Sequence, residues 1–168
     1  KTFRHELDET YKANRPPMPD DLVEQIEPVK HFFQMINIPE ISLAGYEADD
    51  IIGTFADKFK DKFDVYIVSG DKDFAQLVQP HVFLLDPFKN SILDEEGIKE
   101  KYGIDASQFI DYLAIVGDTA DNIPGIKGLG PKAAEKLLNE FKDLGEIYQN
   151  LESQKGATLK KLTENKEN

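Results

Sequence analysis

At 168 residues, with 40% hydrophobic residues and regular periodic runs, the chain is long enough for one globular domain of ordinary size with a real core. It contains no cysteine, which excludes disulfides and thiolate metal sites and fits the cytosol, and no apolar run approaches membrane-spanning length. The formal net charge of −12 argues against a nucleic-acid partner, since phosphate binding normally draws on a basic footprint.

Residues 1–19 carry little hydrophobic pattern. Thr2 to Tyr11 reads as a weak helix, and Lys12-Ala-Asn-Arg15 then runs into Pro16, Pro17 and Pro19. Taken alone, this is a solvated connector. From Asp20 a helix is expected with Leu22, Ile26, Val29, Phe33 and Ile36 on one face, and Pro28 should kink or split it. Ile41 to Ala44 reads as a short strand leading into Gly45-Tyr-Glu-Ala-Asp-Asp50. The next helix has an apolar stripe at Ala48, Ile51, Ile52, Phe55, Ala56 and Phe59, and that side is expected to be buried. Glu47 and Asp50 fall about 60° apart on one edge of the stripe, and Asp49 on the other. One or two acids there are explained by the positive end of the helix dipole. A third, crowded at the core edge, would repel its neighbours without a cation among them.

Asp64 to Ser69 reads as a buried strand that ends in Gly70-Asp-Lys-Asp73 and re-enters a helix at Phe74 to Val78. This strand, tight turn and helix form an α/β unit, whose ligands bind beyond the carboxyl end of the strand. Val82–Leu85 and Ser91–Leu93 suggest a hairpin around Asp86-Pro87, followed by a short helix from Asp94 to Tyr102 with Gly103 as its C-cap. Asp105 and Gln108 form a capping-box pattern for a helix through Phe109, Ile110, Leu113 and Val116, closed by Gly117. Asp118 and Asp121 come directly after it.

Acids therefore gather in three clusters, Glu47/Asp49/Asp50, Asp71/Asp73 and Asp118/Asp121, each at the end of a regular element. Oxygen-only donors suit magnesium or manganese better than zinc. Seven carboxylates exceed the needs of one such ion, and two ions about 4 Å apart, as in phosphodiester cleavage, would use them. An aspartyl phosphatase built on Asp71-Lys-Asp73 is a rival reading, but it leaves Asp118 and Asp121 unexplained.

Asn122 to Gly130 is a glycine-punctuated hairpin followed by Pro131 at a helix start, with Ala134, Leu137, Leu138 and Phe141 on the buried face of that helix. Gly128-x-Gly130-x-x-Ala133 fits a dinucleotide fingerprint as a string, yet no strand precedes it. Gly125 to Gly130 approaches a phosphate loop, but Lys132 is followed by Ala133 rather than Ser or Thr. A helix–hairpin–helix fits better. Gly125, Gly128 and Gly130 would let backbone N–H groups approach a DNA phosphate, with Lys127 and Lys132 adding charge, independently of base sequence.

Tyr11-Lys-Ala-Asn-Arg-Pro-Pro-Met-Pro19, Gly45-Tyr-Glu-Ala-Asp-Asp50, Gly70-Asp-Lys-Asp73, Gly117-Asp-Thr-Ala-Asp-Asn-Ile-Pro-Gly125 and the hairpin resemble, in this order, the 5′-nuclease domain of bacterial DNA polymerase I, a member of the flap endonuclease family. The resemblance covers nearly the whole chain. It implies an α/β fold of the PIN/5′-nuclease kind, with a mostly parallel sheet flanked by helices. Residues 1–116 would be the nuclease core, with an arch segment at 1–19, and 117–168 the helix–hairpin–helix region. The implied activity is hydrolysis of 5′ DNA ends and flaps with two Mg²⁺ or Mn²⁺ ions, in primer removal and repair. Glu47, Asp49, Asp50, Asp71, Asp73, Asp118 and Asp121 inherit the metal role. Tyr11, Lys12 and Arg15 match the arch, where the lysine and arginine address the scissile phosphate, so the connector reading of that segment gives way. The hairpin inherits binding of nicked or 5′-ended duplex, commonly with a K⁺ ion. The implied protein is a bacterial, cytoplasmic, nucleoid-associated monomer with no membrane partner, and its parent chain is of the kind that can carry a polymerase domain. A DNA-structure-binding module that uses only the hairpin is the non-catalytic alternative.

One departure stands out. The family's fold opens with a central strand bearing a metal-binding aspartate, and another aspartate follows before the position of Lys1; neither has a counterpart here. The chain therefore resembles an internal piece that lacks hydrophobic cover for Val65–Val68, and by itself it is expected to show little or no nuclease activity. Two divalent ions add four charges and would bring −12 only to −8, so DNA contact must be local and steeply salt-dependent.

Overall fold

Alternating apolar residues and local turn signals account for most of the elements. The computed structural model describes residues 1–153 and 156–165. Among them the order is α1 (Phe3–Leu7), α2 (Asp20–Met35), α3 (Ala48–Phe59), β1 (Val65–Val68), a 3-10 turn (Lys72–Leu77), β2 (Val82–Asp86), β3 (Ser91–Leu93), α4 (Glu95–Tyr102), a 3-10 turn (Ala106–Gln108), α5 (Phe109–Val116), α6 (Pro131–Glu140), α7 (Leu144–Gln149), a 3-10 turn (Leu151–Ser153) and α8 (Gly156–Glu164). No helix among these residues is long and apolar enough to cross a membrane. The chain divides into two compact units, Lys1–Ile51 with Ala120–Asn122, and Ile52–Thr119 with Ile123–Asn168.

The first unit contains α1, α2 and the first turn of α3. None of its described residues is fully buried. The helix expected over Thr2–Tyr11 closes only from Phe3 to Leu7, where Asp8 turns extended. α2 runs through Pro28 without splitting, because one proline removes a single backbone bond while the turns on either side keep theirs. Its apolar stripe is exposed along its length, with Leu22, Ile26, Val29 and Phe33 lining a shallow cavity of about 310 Å³. The strand expected at Ile41–Ala44 does not form. An extended segment becomes a strand only when its N–H and C=O groups find a partner, and none of the described strands pairs with this one.

The second unit holds the core. β1 pairs in parallel with β2, Val65 against Val82 through Val68 against Leu85, and β2 pairs antiparallel with β3 through the hairpin turn. The sheet is thus a small mixed one, in the order β1-β2-β3. Val82 and Leu84 point inward together with Ile67, Phe74, Ala75 and Val78. Ile98, Ile104, Phe109, Tyr112 and Ile115 continue this core, and Ala134, Leu137, Leu138, Ile147 and Leu162 extend it further. β1 is not the buried strand its composition suggests: Ile67 is enclosed, but Tyr66 and Val68 are 51% and 63% exposed. The apolar stripe of α3 is likewise mostly open. Only Ala56 is fully buried, and Phe55 and Phe59 stack on each other with centroids 5.7 Å apart. In both elements the periodicity is right and the cover is partial.

Local caps form where short-range chemistry demands them. Asp94 accepts from Gly97 N at 2.8 Å, and Gly103 ends α4 in the left-handed region at φ +72°. Asp105 and Gln108 form the expected capping box, which opens a 3-10 turn before α5. The amide of Gln108 also donates to the carbonyls of Leu138 and Lys142, at 2.7 and 2.9 Å. It thereby satisfies exposed carbonyls at the end of α6 and ties that end to the start of α5. The helix expected at Phe74–Val78 starts earlier, at Lys72, and is 3-10. Asp71 accepts from Asp73 N at 3.0 Å and draws the first turn tight.

Candidate functional site

In the first unit Glu47 and Asp50, at the start of α3, are brought together with Asp121 and three cationic side chains. Glu47 donates its backbone N–H to Asp50 Oδ2 at 2.8 Å, so the turn before α3 closes on its own acid. Arg4 grips Asp50 with two guanidinium nitrogens, at 2.8 and 2.7 Å. Lys12 Nζ lies 2.9 Å from Glu47 Oε2 and 3.7 Å from Asp121 Oδ2, and Arg15 pairs with Asp121 Oδ1. The Tyr11 hydroxyl stands 3.1 Å from Glu47 and 3.2 Å from Asp121, within donating reach of either. Lys12 N–H donates to the Asp121 carbonyl at 3.2 Å, which holds Lys12 at φ +55°, a conformation that non-glycine residues seldom adopt. Asn122, also left-handed at φ +62°, donates its side-chain amide to the Thr10 carbonyl. Asp49 lies on the exposed side of the same helical turn.

Glu47 and Asp121 are only 14% and 15% exposed, so these charges act through less water than ordinary surface pairs. Burial pushes the Glu47 carboxyl up, but its bonds from Lys12 and Tyr11 outweigh that and hold it below the usual range. The Arg4 fork holds Asp50 low in the same way. Burial lowers Lys12, and its hydrogen bonds to Tyr11 and Glu47 more than reverse this. The ordinary ionised forms are therefore the stable ones.

In the second unit β1 delivers Gly70-Asp-Lys-Asp73 just beyond its carboxyl end. Asp71 N–H donates to Ser69 Oγ, and the Asp71 carboxylate caps the 3-10 turn. Lys72 reaches two acids at once: its Nζ lies 2.9 Å from Asp73 Oδ1 and hydrogen-bonds Asp118 Oδ2. Burial raises the Asp73 carboxyl, although Lys72 beside it pulls the other way. Asp118 follows Gly117, the C-cap of α5, and exchanges two backbone bonds with Ile123, at 2.9 and 2.7 Å.

The hairpin between α5 and α6 is pinned by two apolar residues. Ile126 and Leu129 are buried, and Ile126 N–H donates to the Ile115 carbonyl at 2.8 Å. These anchors leave Lys127 and Gly128 exposed between them, followed by Gly130 and Lys132 at the open N-terminus of α6. Gly125 is buried at φ +60° against Gly117, where a Cβ would lie 2.5 Å from the Gly117 nitrogen. Gly128, at the tip, gives its carbonyl to Lys161 Nζ at 2.6 Å.

Three partners were not anticipated from the sequence as parts of these sites: Arg4, Lys72 and Lys161. Lys72 had a visible signal, since it stands between two aspartates of one motif. Arg4 and Lys161 had none, because their acceptors lie far away along the chain. Among the described residues, no group of three or more His, Asp or Glu side chains is gathered so that it could hold a metal ion. The pairs present are bridged by ammonium or guanidinium groups, and their donors are all oxygen, which suits a hard cation.

Comparison with known proteins defines the class first. Residues 1–103 match the family model of the 5′-3′ exonuclease N-terminal, resolvase-like domain, and residues 104–168 match that of the 5′-3′ exonuclease C-terminal SAM fold. The chain belongs to the 5′-3′ exonuclease family. It is 46% identical over 166 residues to DNA polymerase I of Caldicellulosiruptor bescii, covering 95% of this chain and 20% of that protein. It is 48% identical over 162 residues to the 5′-3′ exonuclease of Buchnera aphidicola subsp. Baizongia pistaciae, covering 96% of this chain and 54% of that one. The chain thus spans from about a fifth to about half the length of these curated relatives. Among solved structures it resembles the T5 D15 protein co-crystallised with metal ions, with a TM-score of 0.85 and 27% identity, over 99% of this chain and 68% of that one. The T5 D15 flap endonuclease in a complex with DNA and metal ions gives a TM-score of 0.84 at 26% identity, over 99% and 66%.

Proposed function

We propose that the protein is a structure-specific 5′-nuclease that hydrolyses DNA phosphodiesters at 5′ ends and flaps, independently of sequence, with two Mg²⁺ or Mn²⁺ ions. Residues 1–116 would form the nuclease core, with 1–19 as its arch, and 117–168 the duplex-binding region. The observation that carries this reading is that acids at the ends of regular elements, Glu47 and Asp121 in one unit and Asp73 and Asp118 in the other, converge in pairs on a common positive charge. Likeness to the T5 flap endonuclease, whose solved complex contains DNA and metal ions, supports it.

Glu47, Asp49, Asp50, Asp71, Asp73, Asp118 and Asp121 would hold the ions. Once bound, these would supply an activated water and stabilise the leaving oxygen. Lys12 and Arg15 would offset the negative charge that develops on the phosphate. The Tyr11 hydroxyl would help to hold Glu47 or Asp121 in place by donating to it. Behind the cleavage point the hairpin would grip the duplex backbone, with N–H groups near Gly125, Gly128 and Gly130 facing a phosphate and Lys127 and Lys132 adding charge. K⁺ at this hairpin and action beside the bacterial nucleoid belong to the same proposal.

Cleavage of a 5′-flap duplex in magnesium by the full-length protein, rather than by these 168 residues alone, is the direct test. Asp118→Asn should lower cleavage by about 100-fold or more while binding stays within a few-fold, since it removes a group that acts on the reacting charge. Unchanged activity in this variant, with function lost only on hairpin substitutions, would favour the pure DNA-binding module instead.

A further inference from the structure

We propose that Lys72 is a built-in counter-ion of the Asp73/Asp118 pair, which a divalent ion must displace to gain these two carboxylates. The inference rests on the divalent-ion reading above. It begins from geometry: one ammonium group hydrogen-bonds carboxylates that lie 45 positions apart in the sequence, Asp73 Oδ1 at 2.9 Å and Asp118 Oδ2. Both acids are set on restrained backbone. Asp73 N–H is tied to the Asp71 cap, and Asp118 is locked to Ile123 by reciprocal bonds after Gly117.

Lys72 is the most exposed member of the three. Its side chain is 50% exposed against 12% for Asp118, and it ends a flexible four-carbon stem. Swinging this stem into water opens the space between the carboxylates without moving either backbone. Two carboxylates facing one another repel when no cation lies between them. The single charge of Lys72 relieves that in the ion-free protein, and a divalent ion relieves it more fully. Lys72 therefore stabilises the empty site and, by competition, weakens its hold on the ion.

The experiment is calorimetric titration of Mn²⁺ into the intact protein, into Lys72→Met and into Lys72→Arg, together with thermal melts in chelator. Lys72→Met should bind Mn²⁺ about tenfold more tightly, given the size of a unit-charge repulsion at this range. Its melting temperature in chelator should fall, and Mn²⁺ should raise it by more than in the wild type. Lys72→Arg keeps the charge and should follow the wild type in both readings. Equal or weaker Mn²⁺ binding by Lys72→Met, with a wild type that binds, overturns the inference and leaves the divalent-ion reading intact. Failure of all three proteins to bind Mn²⁺ overturns both.

Discussion

Arg4 and Asp50 meet through two parallel hydrogen bonds, from Nη1 at 2.8 Å and Nη2 at 2.7 Å, and so join α1 to the first turn of α3. The first unit has no fully buried residue among those described, so charge-assisted bonds of this kind carry much of its cohesion. Arg4→Ala should destabilise this unit by about 1–2 kcal/mol, and Arg4→Lys should recover only part, since an ammonium cannot reproduce the planar fork. Amide hydrogen exchange over residues 3–11 will report the effect, and unchanged protection in Arg4→Ala would show that α1 is held by other contacts.

The hairpin offers a separable test of DNA binding. Lys127 and Lys132 are exposed beside the N-terminus of α6. The double substitution Lys127→Ala/Lys132→Ala should weaken duplex binding about tenfold, and should make the slope of log affinity against log salt shallower by about two. Fold stability should hardly change. Filter binding across a salt series distinguishes this from unfolding, which would abolish binding at every salt.

Gly125 and Gly130 lie five residues apart in the same hairpin yet should respond differently to alanine. A Cβ on Gly125 would meet the Gly117 nitrogen at 2.5 Å and the Val116 carbonyl carbon at 2.6 Å, on a backbone held at φ +60°. Gly125→Ala should therefore cost at least about 2 kcal/mol. Gly130 is extended, with nothing within 4 Å of its Cβ position, so Gly130→Ala should leave urea stability nearly unchanged. Any loss of DNA affinity in that variant would then be a contact effect.

Asp86 contributes to the acid side of the stability profile through the β2–β3 hairpin. Lys89 Nζ and the backbone N–H groups of Lys89 and Phe88 all donate to its carboxylate. They hold it below the ordinary carboxylate value of 3.8, Lys89 most strongly. A depressed folded value means that the stabilisation is fully present above the unfolded value and is lost as pH falls through the folded one. Asp86→Asn should thus be less stable than the wild type near neutral pH, with the gap closing in acid as the pH falls through the depressed folded value. Urea midpoints at neutral and acid pH measure it, and a gap that persists in acid would contradict the assignment.

Much of the fold was legible because it is decided within a few residues. Asp94 and Gly103 bound α4, Asp105 with Gln108 opens the turn before α5, and Pro131 starts α6, each through bonds that span one helical turn. The β2–β3 hairpin and the buried face Ala134/Leu137/Leu138 follow from alternation and 3.6-residue periodicity. Periodicity tells which residues share a face, but not what covers that face. The stripe on α2, the open side of α3 and Tyr66 and Val68 on β1 remained exposed for that reason, and Ile41–Ala44 stayed unpaired.

The candidate site divides along the same line. By itself the sequence determined the inventory: which acids stand at element ends, that their oxygens suit a hard cation, that Lys12, Arg15, Lys127 and Lys132 are the basic residues beside the motifs, and that residues 122–130 form a glycine-rich turn. Only the tertiary structure decided the pairings, Arg4 with Asp50, Lys12 between Glu47 and Asp121, and Lys72 between Asp73 and Asp118. The physical reason is that a cap or a periodic face is written in neighbours along the chain, whereas an ion pair such as Lys72 with Asp118 depends on where distant backbone segments come to rest.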